Sequence, residues 1–346
     1  MLRESSELAP PAPAPEERGR ADYLAALLAS APSDVKRRLA EIGEFTLGEQ
    51  NLAQMRRRQL RDPGTPSGGV EHADLRAPGR PGDPDVAVRL HRERGITEPR
   101  PCLISIHGGG YVIGSHLGDD ARFDRWSPAL RCIGVSVGYR LAPETPFPGP
   151  LEDCYAALRW AYENASGLGI DPGRIGIIGG SAGGGLAAGL ALLARDRAEI
   201  PVAFQVLSYP MLDDRLATRS GRAGAPLWGP SANQFGWRSY LSALRPGDEV
   251  PGYAVPARAT DLAGLPPAFI TVGNLDGLLD EDIDYAQRLI TAGVPTDLHV
   301  FAGAPHAFDS MLADTAVAQR AGRVLEDWLE CRLHPGHPES DGGGGT

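Results

Sequence analysis

The hydrophobic positions of this chain follow two different periods. From about residue 21 to residue 62, apolar residues recur every three or four positions, which predicts amphipathic helices. Farther along, the apolar residues form short, nearly continuous runs bounded by loop residues, as strands buried on both faces do. Seven such runs predict strands: VAVRL (86–90), LISI (103–106), IGVSV (133–137), IGII (175–178), FQVL (204–207), AFITV (268–272) and LHVF (298–301).

Helical patterns alternate with these runs. One example is PLEDCYAALRWAYEN, whose Pro150 suits a first helical position because its missing N–H is not needed there. Alternation of strands and helices predicts a doubly wound α/β sheet. In such sheets the functional sites lie just past the carboxyl ends of the strands, so those loops carry the candidate chemistry.

Three segments fall outside this alternation. Residues 1–20 are rich in Pro, Ala and Glu, and residues 336–346 in Gly, so we expect both to be disordered tails. Residues 211–262 separate two predicted strands by much more chain than a crossover needs, which predicts a partly helical cover over the strand ends. His334 and His337, near the carboxyl end, are expected to be solvated because no further metal ligands accompany them.

Composition narrows the classes of partner. The chain has 346 residues and a formal charge of -10, with 34 Lys and Arg against 44 Asp and Glu, so nucleic acid and anionic membranes are not expected partners. It has neither an apolar signal segment nor a run of 18 apolar residues, and we expect a cytoplasmic protein. The chain has four cysteines, Cys102, Cys132, Cys154 and Cys331. They show no CxxC pair and no metal-ligand spacing, so we expect reduced thiols and no metal site.

The stretch GGSAG at 179–183 matches G-x-S-x-G between a predicted strand and a predicted helix. A serine on such a turn takes strained backbone angles, and the neighbouring glycines leave room for Ser181 to project its hydroxyl as a nucleophile. A structural glycine-rich turn would also produce the pentapeptide. A dinucleotide site at Gly183, Gly185 and Ala188 is disfavoured because the next strand region, VAFQVLSYP, lacks the required acid, and no GK[ST] is present.

The stretch HGGGY at 107–111 follows another predicted strand. Acyl transfer builds negative charge on the substrate's carbonyl oxygen, which fixed N–H donors must stabilise. We expect the backbone N–H groups of Gly108, Gly109 and Ala182 to form this oxyanion hole. His107 and Gly110 are expected to support the loop, and a flexible surface turn is the alternative.

A serine nucleophile also needs a base and an acid that orients the base, in the chain order Ser, acid, His. The first acid after strand AFITV is Asp276, and we expect Asp280 to be the N-cap of the next helix. His306 follows strand LHVF and is the expected base, whereas His299 lies inside that strand. Three other histidines precede the serine: His72, His91 and His116.

Five motifs together resemble the hormone-sensitive-lipase-like family of α/β-hydrolases over about residues 85–332: HGGG (107–110), YRLAPETPFPGPLEDC (139–154), GGSAGG (179–184), DGLLDED (276–282) and PHAF (305–308). The resemblance implies a mostly parallel eight-stranded sheet and a serine esterase that uses no cofactor. It implies a catalytic domain over 81–335 with a helical cap, built from helices within 21–80 and the insertion at 211–262.

The chain departs from the family at four motif positions. Where the family often has GDSAGG, DYRLAPE, DPLRDE and HGF, this sequence has glycine or alanine at Gly180, Gly138, Gly277 and Ala307. None of these changes removes an atom of the Ser181, Asp276 and His306 set. The loss of acids at 138 and 180 changes local charge, so we expect it to affect rate and substrate preference more than mechanism.

Three functions fit these motifs. The first is hydrolysis of carboxylic esters with small or medium acyl chains; a homodimer is left open. The second is a lyase, cyclase or acyltransferase reaction of natural-product metabolism on the same scaffold, because fold does not dictate reaction. The third is ligand binding without catalysis, which the complete set of catalytic residues disfavours. Aromatic residues of the insertion either line an acyl pocket or pack the cap: Trp228, Phe235, Trp237 and Tyr240.

Overall fold

The computed structural model describes residues 15–59, 68–245 and 247–336. Its described residues form one eight-stranded sheet in the order β1-β2-β4-β3-β5-β6-β7-β8. The strands are β1 Val70–Ala77, β2 Val86–Glu93, β3 Arg100–Ile106, β4 Ile133–Gly138, β5 Ile170–Gly180, β6 Phe204–Ser208, β7 Ala268–Leu275 and β8 Thr296–Pro305. Strand β2 runs antiparallel to β1 and β4. The other neighbours in the sheet, β4-β3-β5-β6-β7-β8, pair in parallel. The predicted α/β class is confirmed.

Helices cover both faces of this sheet. Those of the described residues are α1 Pro15–Ser30, α2 Ser33–Ile42, α3 Leu52–Gln59, α4 Asp120–Ala129, α5 Gly149–Glu163, α6 Ala165–Leu168, α7 Ala182–Arg197, α8 Arg219–Ala223, α9 Pro230–Tyr240, α10 Leu279–Thr291, α11 Phe308–Met311 and α12 Ala316–Leu333. Pro150 lies in the first turn of α5, as the sequence predicts. No helix among the described residues combines the length and the apolar character needed to cross a membrane.

Neighbouring residues of the central strands face opposite layers of the core. On β3, Leu103 packs in the layer of α4 and α12, whereas Ile104 packs in the layer of α5, α7 and α10. On β5, Ile178 and Ile177 divide in the same way. Burial on both faces explains why these strands are nearly continuous apolar runs in the sequence.

The structure differs from the sequence expectations at the amino-terminal side. Strand β1 was not predicted, because its residues VEHADLRA form a half-exposed edge strand with few apolar positions. Helix α1 begins at Pro15, so the predicted tail over 1–20 extends too far; residues 1–14 lie outside the described part.

The carboxyl-terminal expectation also needs correction. His334 is half-buried, and its Nε2 lies 2.8 Å from the carbonyl oxygen of Leu130, so it is not simply solvated. His337 and the rest of the predicted tail after residue 336 lie outside the described residues. The four cysteines are free thiols, as predicted, with three buried and Cys331 exposed.

Candidate active site

Ser181 occupies a sharp turn between β5 and α7. Its backbone angles, φ 57° and ψ −124°, are unfavourable for a residue with a side chain. Hydrogen bonds hold this strained residue: its N–H donates to the Ser208 carbonyl at 2.9 Å, and its carbonyl accepts from Met211 N–H at 2.9 Å. A Cβ at Gly183 would lie 2.1 Å from the Ile106 carbonyl oxygen, so the helix start approaches β3 as closely as only glycine permits.

His306 connects the serine to a carboxylate. Its Nε2 lies 2.9 Å from Ser181 Oγ, and its Nδ1 lies 2.8 Å from Asp276 Oδ2. Because a carboxylate only accepts hydrogen bonds, Nδ1 carries the proton and Nε2 faces the hydroxyl as an acceptor. The second oxygen of Asp276 accepts from the Leu278 N–H at 3.0 Å, which fixes the carboxylate. The three side chains form one hydrogen-bonded path.

Two other acids of the DGLLDED motif, Asp280 and Glu281, have different hydrogen-bond partners. Helix α10 begins at Leu279, so Asp280 lies in its first turn and the expected N-cap role is wrong. Asp280 instead accepts a hydrogen bond from the Ser220 N–H at 2.9 Å, which links α10 to α8. Glu281 accepts from two backbone N–H groups, and burial raises its pKa well above its usual range. Asp276 is the acid of this motif that hydrogen-bonds to His306.

The glycine loop lies directly against the serine turn. A Cβ at Gly108 would lie 2.8 Å from the Gly180 carbonyl oxygen and 3.3 Å from Ser181 Cβ. Gly109 has φ 114°, where side chains are strained. The His107 Nδ1–H donates to the Gly108 carbonyl at 2.8 Å, and burial lowers the pKa of His107 to about 4. The structure therefore places this loop beside the candidate nucleophile, with a neutral His107 holding it.

Two aromatic side chains flank the His306 imidazole. Trp228 from the insertion stacks on it with ring centroids 5.7 Å apart, and Tyr209 meets it edge-on at 4.9 Å. Trp228 also covers the glycine loop, since a Cβ at Gly110 would lie 2.4 Å from its ring. Only 6% of Ser181 and 4% of His306 is exposed. The insertion thus closes the site in this structure.

Three other aromatic residues of the insertion are buried in the core. Tyr240 stacks on Tyr111 with ring centroids 4.1 Å apart, and Trp237 contacts the same ring at 5.1 Å. Phe235 is buried in the same core cluster. Of the two interpretations of these aromatics, packing therefore fits Tyr240, Trp237 and Phe235, whereas Trp228 faces the site.

Side chains from elsewhere occupy the space at two of the positions that depart from the family pattern. A Cβ at Gly180 would lie 3.3 Å from the Tyr209 ring, and one at Gly138 would lie 2.6 Å from His116 Nδ1. Tyr209 was missed in the sequence, although it directly follows strand β6 at the site's edge of the sheet. Its hydroxyl donates a hydrogen bond to Asp309, and its ring contacts the imidazole of His306.

Known proteins resemble the chain over most of its length. A family profile described as alpha/beta hydrolase fold matches residues 103–310. Carboxylesterase NlhH of Mycobacterium tuberculosis is 37% identical over 281 residues, which cover 79% of this chain and 87% of that protein. A solved structure of a bacterial heroin esterase is 40% identical in sequence and has a TM-score of 0.84. The match covers 89% of this chain and 99% of that protein's chain.

A second solved structure, esterase LipW from Mycobacterium marinum, has 35% identity and a TM-score of 0.80, and covers 89% of this chain and 98% of its own. The profile spans more than half of the chain, and its fold agrees with the sheet order and the serine turn described above. The chain therefore belongs to the hormone-sensitive-lipase-like family of α/β-hydrolases.

Proposed function

We propose that this chain is a carboxylic ester hydrolase that works through an acyl-enzyme intermediate on Ser181. One observation carries the proposal: Asp276, His306 and Ser181 form an unbroken hydrogen-bonded path, with distances of 2.8 and 2.9 Å, that ends at the strained serine turn. The esterase names of similar proteins support the same reaction.

In the first step, Ser181 Oγ attacks the ester carbonyl carbon while its proton passes to His306 Nε2. Asp276 accepts the Nδ1–H of the resulting imidazolium and stabilises its charge. The tetrahedral intermediate then collapses: the bond to the alcohol oxygen breaks, the alcohol takes the proton from His306, and the acyl group stays on Ser181. A water molecule attacks this acyl group with His306 as base, which releases the acid and restores the serine.

The glycine loop supplies the oxyanion hole of this proposal. In this role the N–H groups of Gly108, Gly109 and Ala182 donate hydrogen bonds to the negative charge that develops on the substrate's carbonyl oxygen. The close approach of Gly108 to Ser181 Cβ supports this role. Removal of one such donor costs about 3 kcal/mol of transition-state stabilisation in comparable sites.

The enclosed site supports small or medium acyl chains as substrates. Trp228 lies over both His306 and Gly110, so a bound ester has to fit beside this ring or displace it. The cap that carries Trp228 includes the helices within 21–80 and the insertion at 211–262. Ring contacts between the two segments support this division: Phe45 meets Trp228 at 6.1 Å, and Arg219 lies over Tyr23 at 4.2 Å. The homodimer and the cytoplasmic location remain predictions.

An activity-based probe tests the nucleophile. We expect a fluorophosphonate to label the wild-type chain at Ser181 and the Ser310→Ala variant equally, because Ser310 is exposed and bonded to the Ala307 carbonyl. The Ser181→Ala variant should remain unlabelled and should not hydrolyse p-nitrophenyl butyrate. Labelling of Ser181→Ala to the wild-type extent would contradict the proposed nucleophile.

Product analysis separates hydrolysis from the alternatives. In ¹⁸O-labelled water, hydrolysis places one heavy oxygen in the released acid, whereas elimination gives an alkene and acyl transfer gives a new ester. The described geometry and the esterase names of the relatives do not favour elimination, acyl transfer or ligand binding. Acid without the label would overturn the hydrolytic proposal.

A further inference from the structure

A second group of histidines and carboxylates lies at the antiparallel edge of the sheet. His72 on β1 and His91 on β2 are directly opposite in the strand register, and Asp120 begins α4 above them. The side chains of His72 and His91 are 1% and 0% exposed, and that of Asp120 is 6% exposed. We call these three residues the edge cluster.

The hydrogen bonds of the two imidazoles determine which of their nitrogens carry protons. His72 Nε2 lies 2.9 Å from Asp124 Oδ1, and a carboxylate only accepts, so this nitrogen carries a proton. Ser136 donates its hydroxyl proton to Asp119 and therefore accepts from His91 Nε2–H at 2.9 Å. With these protons on the outer nitrogens, the two Nδ1 atoms face each other at 2.7 Å, so a third proton or another cation has to lie between their lone pairs.

The third donor completes a metal-binding geometry. Asp120 Oδ1 lies 3.6 Å from His72 Nδ1 and 3.7 Å from His91 Nδ1. In tetrahedral zinc sites, metal–ligand distances of about 2.0–2.1 Å place neighbouring donor atoms about 3.4 Å apart. The triangle of donors, with its third side of 2.7 Å, matches one face of such a tetrahedron after a shift of less than about 1 Å.

The surroundings also suit a bound dication. Zinc-binding histidines usually donate their outer N–H to a carboxylate or another oxygen, as both imidazoles do here. Arg89 donates to both oxygens of Asp120 at 2.7 and 2.8 Å, which fixes the carboxylate, while Oδ1 keeps a lone pair for the metal.

We propose that the edge cluster binds a divalent transition metal of the Zn²⁺ type through His72 Nδ1, His91 Nδ1 and Asp120 Oδ1, three protein ligands that leave the fourth tetrahedral position to water. Imidazole nitrogen together with carboxylate oxygen favours Zn²⁺ over Mg²⁺ or Ca²⁺, which prefer oxygen ligands alone. The metal ties the β1–β2 pair to α4. This differs from the expectation of no metal site, because the spacing of these residues in sequence does not show that they meet.

Cobalt serves as a spectroscopic probe of this site in the full chain without a histidine tag. After treatment with chelator and dialysis, we expect one equivalent of Co²⁺ to produce the visible absorption of a tetrahedral complex, and Zn²⁺ to displace it. Zn²⁺ should also raise Tm by about 5 °C when present at a hundred times its Kd. Both readouts are independent of ester hydrolysis.

Variants decide whether these residues hold the metal. His91→Gln should abolish the cobalt absorption, whereas His299→Gln, on β8, should keep it. If His91→Gln does not fold, Asp124→Asn provides the test, because loss of the outer carboxylate should weaken affinity about 10- to 100-fold. A folded wild-type chain that binds no metal would overturn the proposal. In that case, ¹⁵N resonances of an imidazolium would show that a shared proton, not a metal ion, lies between the two Nδ1 atoms. Equal loss in His299→Gln would also overturn the proposal.

Discussion

Histidine and aspartate side chains lie close together at both edges of the sheet, at β7–β8 and at β1–β2, but they stand at different positions along the strands. Asp276 and His306 follow parallel strands at their carboxyl ends, where the chain leaves the sheet and a hydroxyl stands at a strained turn. His72 and His91 lie within antiparallel strands, where both imidazoles are enclosed by the β1–β2 pair and α4. Both regions contain a histidine bonded to a carboxylate.

The comparison shows that a histidine–carboxylate hydrogen bond does not by itself indicate catalysis. At the parallel end, Nε2 of His306 lies 2.9 Å from Oγ of Ser181, the proposed nucleophile. In the edge cluster, the free nitrogens reach each other and a carboxylate already bound by Arg89. Position in the fold therefore distinguishes the proposed catalytic site from the proposed metal site.

Removing the nucleophile should have the largest effect. Ser181→Ala is expected to lower kcat for p-nitrophenyl butyrate by roughly 10⁶-fold, since no other group can form the acyl-enzyme. Stability should change little, because the strained backbone remains. Urea unfolding and steady-state kinetics on the same preparation check both expectations. If kcat of Ser181→Ala falls less than tenfold, the site at Ser181 is not catalytic in the proposed way, and the contrast with the edge cluster fails.

The orienting acid gives the next largest effect. Asp276→Asn should lower kcat by about 10⁴-fold, because an amide in this place favours the wrong imidazole tautomer. Asp280→Asn is the matched control: its side-chain oxygen can still accept from the Ser220 N–H, so kcat should stay within about threefold. Stopped assays with p-nitrophenyl acetate measure both variants. A larger loss in Asp280→Asn than in Asp276→Asn would reverse the assignment of the acid.

At the opposite end, a similar change should affect stability instead of rate. Asp120→Asn leaves the buried Arg89 guanidinium without its main partner and is expected to lower the free energy of unfolding by about 3–5 kcal/mol. Asp74→Asn acts on the same guanidinium, but Asp74 is 68% exposed, and its loss should cost less than about 1 kcal/mol. Urea titrations give both values, and the kcat of folded Asp120→Asn should remain near wild type.

A smaller effect is expected on substrate size. Trp228→Ala removes the ring that covers His306 and Gly110, so longer acyl chains gain room. The ratio of kcat/KM for p-nitrophenyl hexanoate over acetate should rise about tenfold, in line with pocket discrimination between methylene groups. Trp237→Phe is the control, because Trp237 packs on Tyr111 instead. An unchanged ratio in Trp228→Ala would place the acyl pocket elsewhere.

The smallest predicted effect concerns pH. Burial lowers the pKa of His107 to about 4, so between pH 6.5 and 4 the unfolded chain binds a proton that the folded chain does not. The stability contributed by a neutral His107 is therefore present above pH 6.5 and declines as pH falls. His107→Asn should lose less stability than wild type between pH 7.5 and 5, as measured by urea midpoints. Identical pH slopes would show that His107 is not the sensor.

The catalytic candidates could be selected from the sequence because each directly follows a strand. Ser181, Asp276 and His306 stand in separate loops, but a parallel sheet brings the carboxyl ends of its strands to one edge. The edge cluster could not be predicted in this way. Its contact depends on the register of an unpredicted strand, β1, and on where α4 crosses it.

Long-range contacts also explain the errors of detail. Asp280 resembled an N-cap in sequence, but its partner is Ser220 in the insertion, 60 residues away in the chain. Trp228 could not be separated from the packing aromatics, because its position over His306 depends on how the insertion folds back. Local patterns therefore indicated the candidate catalytic residues, whereas the surfaces around them required the folded chain.

The division of labour between sheet and insertion has a consequence for engineering. The catalytic candidates are anchored in strand ends, whereas the ring that shapes their entrance belongs to a segment joined to the sheet at two points, 211 and 262. A library confined to residues 212–262, which keeps Met211 and its hydrogen bond to the Ser181 carbonyl, would explore new substrate ranges while it leaves the reacting atoms in place. Grafts from related chains at those two junctions are a direct way to transfer selectivity without rebuilding the catalyst.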